Sequence, residues 1–198
     1  LIALTGDFVT GGRNGLAEGE ALLGALRAPD GAWAVLGNHD HSVGPDRVAA
    51  LLRGAGIGLL RNASHTLRRG GDALVLAGID DAVRGAPDLR AALDGAPPDQ
   101  PAILLAHAPD FAPRAAADPR VALQLSGHSH GGQVRLPGRR PLILPRGGKA
   151  YPAGLYTIGG LQLFVTTGTG TGWLVVRLNC RPEFAVITLA AGPTPHSA

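Results

Sequence analysis

Short apolar runs alternate with amphipathic stretches along this chain. The apolar runs at 1–4, 33–36, 102–106 and 121–125 have the length and composition of buried strands. Between several of them, apolar residues recur at helical spacing, as at 22, 23 and 26, which predicts amphipathic helices. Strands that alternate with helices are typical of an α/β fold. The predicted helices cover residues 16–26, 46–54, 87–94 and 109–117.

Turn signals separate two further pairs of predicted strands. Residues 64–67 and 73–78 flank a glycine-containing turn at 69–72, and a second hairpin with a Gly-Gly turn covers 155–165. Prolines at 137, 141, 145 and 152 argue against a regular element between the hairpin and the strand at 121–125. The predicted closing strands are 174–178 and 184–189.

The composition limits the class of protein. The chain has 198 residues, 45% of them hydrophobic and only 4% aromatic, so we expect one domain over 1–190 with an aliphatic core. Residues 191–198 are predicted to be a disordered tail. A formal net charge of +3 suits an anionic substrate without establishing a nucleic-acid partner. The single cysteine, Cys180, excludes an internal disulfide.

Localisation is only weakly constrained by the sequence. No apolar run reaches the ~20 residues that a membrane-spanning helix needs, and no signal peptide is visible. The chain opens inside a predicted strand and has no initiator Met, so we expect a further N-terminal segment. We therefore expect a cytoplasmic or peripheral membrane protein, and leave an N-terminal anchor or signal open.

Residues with metal-ligand chemistry follow four of the predicted strands. Asp7 follows the first, the segment 37–40 (Gly-Asn-His-Asp) follows the second, His107 follows the third, and His128 and His130 follow the fourth. Open α/β sheets place their sites beyond the carboxyl ends of strands. In an extended backbone, residues two apart point the same way, so both late histidines could leave the strand on one side. The alternative is a pair of surface histidines in a glycine-rich loop.

The order Gly-Asp, Gly-Asn-His-Asp, His and Gly-His-x-His resembles the calcineurin-like metallophosphoesterase superfamily over roughly 1–189. Within it, 127–137 and 176–183 look like the bacterial YkuE/YaeI-type branch. The resemblance implies a four-layer αββα sandwich of two mixed β-sheets flanked by helices. It also implies a phosphodiesterase or pyrophosphatase that uses a metal-activated water.

The resemblance also implies a role for each matching residue. Asp7 would bridge two divalent ions (Mn, Fe or Zn), because two dications need a shared carboxylate. His39 would protonate or stabilise the leaving oxygen, and Asp40 would orient its ring. The remaining implied metal ligands are Asn38, His107 and His128 on the second metal and His130 on the first.

One family motif, an Asp-x-His triplet, does not occur before Asp7. That motif supplies two ligands of the first metal, so we expect an N-terminally truncated chain that is inactive or weakly active by itself. The alternative is a non-catalytic binding scaffold of the same fold with an incomplete metal site. A nuclease would want a broad basic face with aromatic residues, and only two Trp and two Tyr are present.

The remaining candidate residues have a less specific pattern. A loop at 134–151 alternates basic and apolar residues, and could bind a lipid-linked diphosphate or an anionic membrane surface. The alternative is a solvated loop that caps the sheet. Asp80 and Asp81 are expected to be solvated loop residues or part of the rim of the site. The basic members of the loop are Arg135, Arg139, Arg140, Arg146 and Lys149, and its central apolar members are Leu142, Ile143 and Leu144.

Overall fold

The computed structural model describes residues 1–9, 15–137, 141, 143–172 and 174–190, and gives no side-chain description for 15–18. Arg139, Arg140, Leu142 and the expected tail at 191–198 lie outside the described residues. The strands are β1 Ile2–Leu4, β2 Ala32–Ala34, β3 Gly58–Leu59, β4 Ala63–Arg69, β5 Asp72–Gly78, β6 Ala102–Leu105, β7 Val121–Ser126, β8 Gly154–Ile158 and β9 Leu161–Val165. The α-helices are α1 Gly15–Leu23, α2 Asn38–Val43, α3 Pro45–Gly54, α4 Leu89–Ala92 and α5 Ala112–Ala115.

The smaller sheet has the strand order β1-β2-β3, and all three strands are parallel. The expectation that both sheets are mixed is therefore wrong for this smaller sheet. Helix α3 begins at Pro45, directly before the predicted range 46–54, and buries Val48 and Leu52 against Ala34 of β2 and Leu36, which follows it. Their i, i+4 spacing places both side chains on one face of the helix. This sheet therefore presents one face to a helix.

The larger sheet has the order β4-β5-β6-β7-β9-β8 and is mixed. Its four central strands are parallel, and the hairpins β4–β5 and β8–β9 add an antiparallel strand at each edge. Alternation along β5 sends Val75 and Ala77 towards α4 and α5, and Leu76 towards the smaller sheet. Val35 from the smaller sheet shares that inner core with Leu76. The two sheets therefore pack face to face.

Two predicted closing strands are wrong. Residues 174–178 and 184–189 form no strand, and only an isolated bridge joins Val134 to Leu178. Their apolar side chains stay in solvent: Phe184 is 91% exposed and Val186 96%. An alternating pattern gives a strand only where a neighbour supplies hydrogen-bond partners, and none of the described strands lies beside these residues.

Helix α2 was not predicted, and three other helices are shorter than expected. Helix α1, predicted over 16–26, ends at Leu23. Helix α2 begins where the Asp40 carboxylate accepts the Gly37 amide, at 2.8 Å. The helix predicted at 87–94 covers only Leu89–Ala92, capped by the Asp88 side chain, which accepts from the Ala91 amide. A 3₁₀ turn at Pro109–Phe111 precedes α5. Among the helices described, none has the length and apolar character needed to cross a membrane.

Candidate metal centre

The candidate site lies where the carboxyl ends of β1, β2, β6 and β7 meet. Asp7 follows β1, Asn38 opens α2 after β2, His107 follows β6, and His128 follows β7. The ligand atoms of Asp7, His107 and His128 all lie within 4.8 Å of one another. Packing two sheets face to face therefore brings together residues that are far apart in the sequence.

His107 is the centre of this cluster. Its Nδ1 lies 2.6 Å from the Thr5 carbonyl oxygen, and a carbonyl can only accept, so Nδ1 carries the proton. In the neutral ring, Nε2 is then the nitrogen with a lone pair. It lies 3.2 Å from Asp7 Oδ2, 3.2 Å from Asn38 Oδ1 and 3.0 Å from His128 Nδ1.

His128 is fixed in the same way by a second carbonyl. Its Nε2 donates to the Arg146 carbonyl oxygen at 2.8 Å, which leaves Nδ1 with a lone pair facing His107. Two imidazole lone pairs, a carboxylate oxygen and an amide oxygen therefore point at one small volume. Acceptors that face one another without a proton need a cation between them, and mixed oxygen and nitrogen donors suit a divalent transition metal.

Asp7 is held in the cluster by its surroundings. Its Oδ1 accepts the His39 amide at 2.9 Å, while Oδ2 faces His107. Glycine is required at position 37, because an added Cβ would overlap Asp7 Oδ1 and lie 2.7 Å from His107 Cε1. The two Gly-containing motifs thus allow the ends of β1 and β2 to approach one another closely.

Asp40 has a different role from the expected one. Its Oδ2 accepts the amides of Asp7 and Gly37, both at 2.8 Å, and its Oδ1 accepts the amides of Phe8 and Val9 at 2.9 and 3.3 Å. Among the described residues, no hydrogen bond joins it to the His39 ring, because both oxygens already accept backbone donors. Burial raises the pKa of this carboxyl group to about 6, although the amide donors oppose the shift. Asp40 therefore joins the loop after β1 to the loop after β2 through hydrogen bonds to their backbone amides.

The site turns have a strained backbone. Asp7, His128, His130 and Gln133 all have positive φ, at 61°, 63°, 50° and 53°. Non-glycine residues rarely adopt this conformation, and it concentrates at functional sites. The expected extended backbone between His128 and His130 is therefore wrong. A left-handed turn places the two histidines instead.

A cavity of about 270 Å³ opens next to the cluster. His39 and His130 line it together with Asp7, Asn38 and His128. His130 Nδ1 is buried and has no hydrogen-bond partner among the described residues. The structure thus places the expected ligands other than His107, together with the expected proton donor, on one cavity.

Comparison with known proteins agrees with this arrangement. The family model for calcineurin-like phosphoesterases matches residues 1–132. The chain belongs to the calcineurin-like phosphoesterase family. It is 39% identical over 170 residues to the Bacillus subtilis metallophosphoesterase YkuE, covering 85% of this chain and 59% of that protein. It is 32% identical over 193 residues to the Escherichia coli phosphodiesterase YaeI, covering 96% and 70%.

Two further comparisons concern length and fold. A Bos taurus transmembrane protein with a metallophosphoesterase domain is 34% identical over 206 residues, which is 96% of this chain and 46% of that protein. The chain thus spans 59% and 46% of the lengths of YkuE and the Bos taurus protein. Thermus thermophilus sulfate thiohydrolase SoxB shares the fold at a TM-score of 0.56 and 20% identity, covering 83% of this chain and 33% of that one. Haemophilus influenzae NAD nucleotidase also has a TM-score of 0.56, at 17% identity and with 85% and 40% coverage.

Burial and the contact between Asp7 and His107 shift the pKa values of the site residues. Burial would lower the pKa of His107, but the hydrogen bond and the charge of Asp7 outweigh it and raise that pKa. Burial opposes ionisation of Asp7, yet His107 holds its pKa below the usual value. Burial also lowers the pKa of His128, helped by His107, and that of His130, helped by the charge of Arg177. The contact between Asp7 and His107 therefore stabilises the ionised form of the Asp7 carboxylate.

Two acidic residues after β5 are more buried than the sequence analysis expected. Asp80 and Asp81 are 2% and 1% exposed, so they are not solvated. Asp80 binds His41 Nε2 at 2.7 Å and Arg61 Nε at 3.1 Å, which joins α2 to the end of β5. Asp81 Oδ2 accepts the amides of the turn that follows, and its Oδ1 has no partner among the described residues. Their position after a strand was the same signal that pointed to Asp7.

The described part of the basic loop packs on the site. Arg135 Nε donates to the Gly131 carbonyl oxygen at 2.5 Å, which ties this side chain to the histidine turn. Gly148 is buried against Ser129 and His128. Of the described basic residues of the loop, Arg146 and Lys149 are exposed. Binding to an anionic membrane surface stays a prediction.

Proposed function

We propose that this chain carries the metal centre of a metal-dependent phosphoester hydrolase that acts on phosphodiesters or diphosphates. One observation supports this most strongly. The lone pairs of His107 and His128 converge with oxygens of Asp7 and Asn38, and a cavity opens beside them. In this proposal the four residues hold one divalent ion, and His130 belongs to a second. We further propose the four-layer αββα order for the whole domain.

The donor set fits metal ions of the Mn, Fe or Zn type. Divalent ions bound there would supply an acidified water molecule and neutralise charge on the phosphoryl oxygens. The residues of the chain supply position. Asp40 ties the turn that carries Asp7 to the turn that carries Asn38 and His39. The Thr5 carbonyl sets which nitrogen of His107 is free.

His39 is the proposed proton donor. Its backbone amide is fixed by Asp7, while its ring lines the cavity and is half-buried. A protonated imidazole there donates its N–H to the leaving oxygen as the phosphorus–oxygen bond breaks. General acid catalysis of this kind contributes about 10²–10⁴-fold.

Hydrolysis of bis(p-nitrophenyl) phosphate with added Mn²⁺ tests this function. The longest form of the protein that carries these residues should turn the substrate over, and Asp7→Asn should abolish turnover. Asp99→Asn, an exposed carboxylate with no contact to the site, should behave like wild type. If metal binds but neither this ester nor alkyl diesters or diphosphates are hydrolysed, the catalytic proposal is wrong. A non-catalytic scaffold then explains the site better.

A further inference from the structure

The cavity beside the metal centre has two walls of different chemistry. One part of the lining carries the polar residues of the site. The other part, called the apolar wall below, carries Val134, Ile143, Pro145 and Leu174. Ile143 is 65% exposed and Leu174 37% exposed, so this wall is open to a ligand. Partly exposed aliphatic side chains gain free energy when a ligand removes their surface from water.

The apolar wall is held in place by specific hydrogen bonds. Gln133 Oε1 accepts the Gly172 amide at 2.8 Å, and its Nε2 donates to the carbonyls of Leu174 and of Val176, the latter at 2.9 Å. The Leu178 amide donates to the Gln133 carbonyl at 3.0 Å. One side chain next to the histidine turn therefore fixes the whole segment that bears Leu174.

The other part of this wall is fixed through His128. The Arg146 carbonyl accepts from His128 Nε2 at 2.8 Å, directly after Pro145. The Lys149 and Ala150 amides donate to Asp110 at 3.1 Å each, which anchors the far end of that loop. Both halves of the wall are thus tied to the turn that carries the metal-centre histidines.

We propose that this wall binds an alkyl group of the substrate, so that the preferred substrate is a phosphodiester with an aliphatic ester chain. The inference rests on the proposed function, because the polar wall must hold the phosphoryl group. Small-molecule sites usually measure about 300–1,000 Å³. A cavity of about 270 Å³ therefore holds a phosphoryl group and a short apolar segment, and a longer chain continues out of the opening.

A homologous series of p-nitrophenyl alkyl phosphates tests this. The leaving group stays constant while the second ester is methyl, butyl or hexyl, which keeps all three compounds monomeric in water. A fully buried methylene is worth about fourfold. Because the wall stays partly open, we expect kcat/KM to rise about 10-fold from methyl to butyl. The inference would be overturned if kcat/KM did not change with the length of the alkyl chain.

Neighbouring residues offer a matched pair of variants. Leu174→Ser should flatten the dependence on chain length, whereas Val175→Ser should keep it, because Val175 is 81% exposed and does not line the cavity. Ile143→Ser should also flatten the dependence on chain length. Because Ile143 is 65% exposed, we expect this variant to fold like wild type. If both wall variants keep the wild-type slope, the wall does not contact the chain.

Binding of alkylphosphonates separates this inference from the proposed function. Calorimetry with methyl-, butyl- and hexylphosphonate should show affinity that rises with chain length and loses this rise in Leu174→Ser. If no diester is hydrolysed but affinity still rises, the hydrolase proposal fails and the alkyl site stands. If affinity does not change along the series, the alkyl site is overturned whatever the hydrolysis shows.

Discussion

At Gly37 the two halves of the candidate site approach each other closely. It lies between Asp7 and His107, and a Cβ at this position would overlap Asp7 Oδ1. The same Cβ would lie 2.7 Å from the Asp7 amide nitrogen, which is a backbone atom that cannot rotate away. Gly37 itself has φ −106° and ψ 177°, so alanine meets no backbone strain there. Gly37→Ala therefore tests steric packing alone.

The magnitude follows from the size of the overlap. Ordinary van der Waals contacts lie at about 3.5–4.0 Å, so one of the two loops must move by about 1 Å. Overpacking of a well-packed interior costs about 1–3 kcal/mol, which is about 2–12 °C in melting temperature for a chain of this size. A misplacement of about 1 Å can cost about 100-fold in rate. Asp7 would also leave the position from which its Oδ2 faces His107.

Thermal unfolding and metal titration of Gly37→Ala measure both effects, and Gly71→Ala is the matched control. Gly71 also has no left-handed φ, and an added Cβ there meets no atom within 4 Å. The control should melt like wild type and bind metal equally well. If Gly37→Ala also matches wild type in both measurements, the close approach of Asp7 and His107 is not what requires glycine.

Two further predictions concern other parts of the site. His39→Asn should keep its metal but lose about 10²–10⁴-fold in rate on alkyl diesters and less on aryl esters, whose leaving groups need little protonation. Equal losses on both would exclude proton donation. Burial favours a raised pKa for Asp80, but the Ala86 amide, His41 and Arg61 outweigh it and lower that pKa. Its stabilising contribution is thus present above pH 3.8 and lost as the pH falls further, so the unfolding free energy of Asp80→Asn should fall less steeply in acid than that of wild type. Identical acid unfolding curves would contradict this role.

Hydrophobic patterning predicted the parts of the fold that depend on local sequence. The run at 102–106 became β6, whose four residues are all buried, and the hairpin at 155–165 formed around its Gly-Gly turn. Helix α2 was missed because the side chain that caps it, Asp40, reads as a site residue in the sequence. The runs at 174–178 and 184–189 read as strands because a pattern cannot show whether a neighbouring strand is present.

The candidate site was predictable in position but not in its hydrogen bonding. Ligand-type residues after successive strands do meet at one edge of the molecule, which the sequence order already indicated. The free nitrogen of His107 depends on the Thr5 carbonyl, which lies 102 residues away, and the orientation of His128 depends on the Arg146 carbonyl. Such contacts depend on how the two sheets pack. For the same reason, the backbone role of Asp40 and the burial of Asp80 were visible only in the structure.

Metal titration tests the central claim most directly. Protein freed of metal by a chelator and titrated with Mn²⁺ or Zn²⁺ should bind close to one equivalent tightly through Asp7, Asn38, His107 and His128. His107→Gln should lose this binding, because Nε2 of His107 lies within 3.2 Å of an atom of each other residue. His65→Gln, whose ring stacks on Trp33 away from the site, should retain it. No tight binding to the wild-type protein, or equal binding to His107→Gln, would contradict the account.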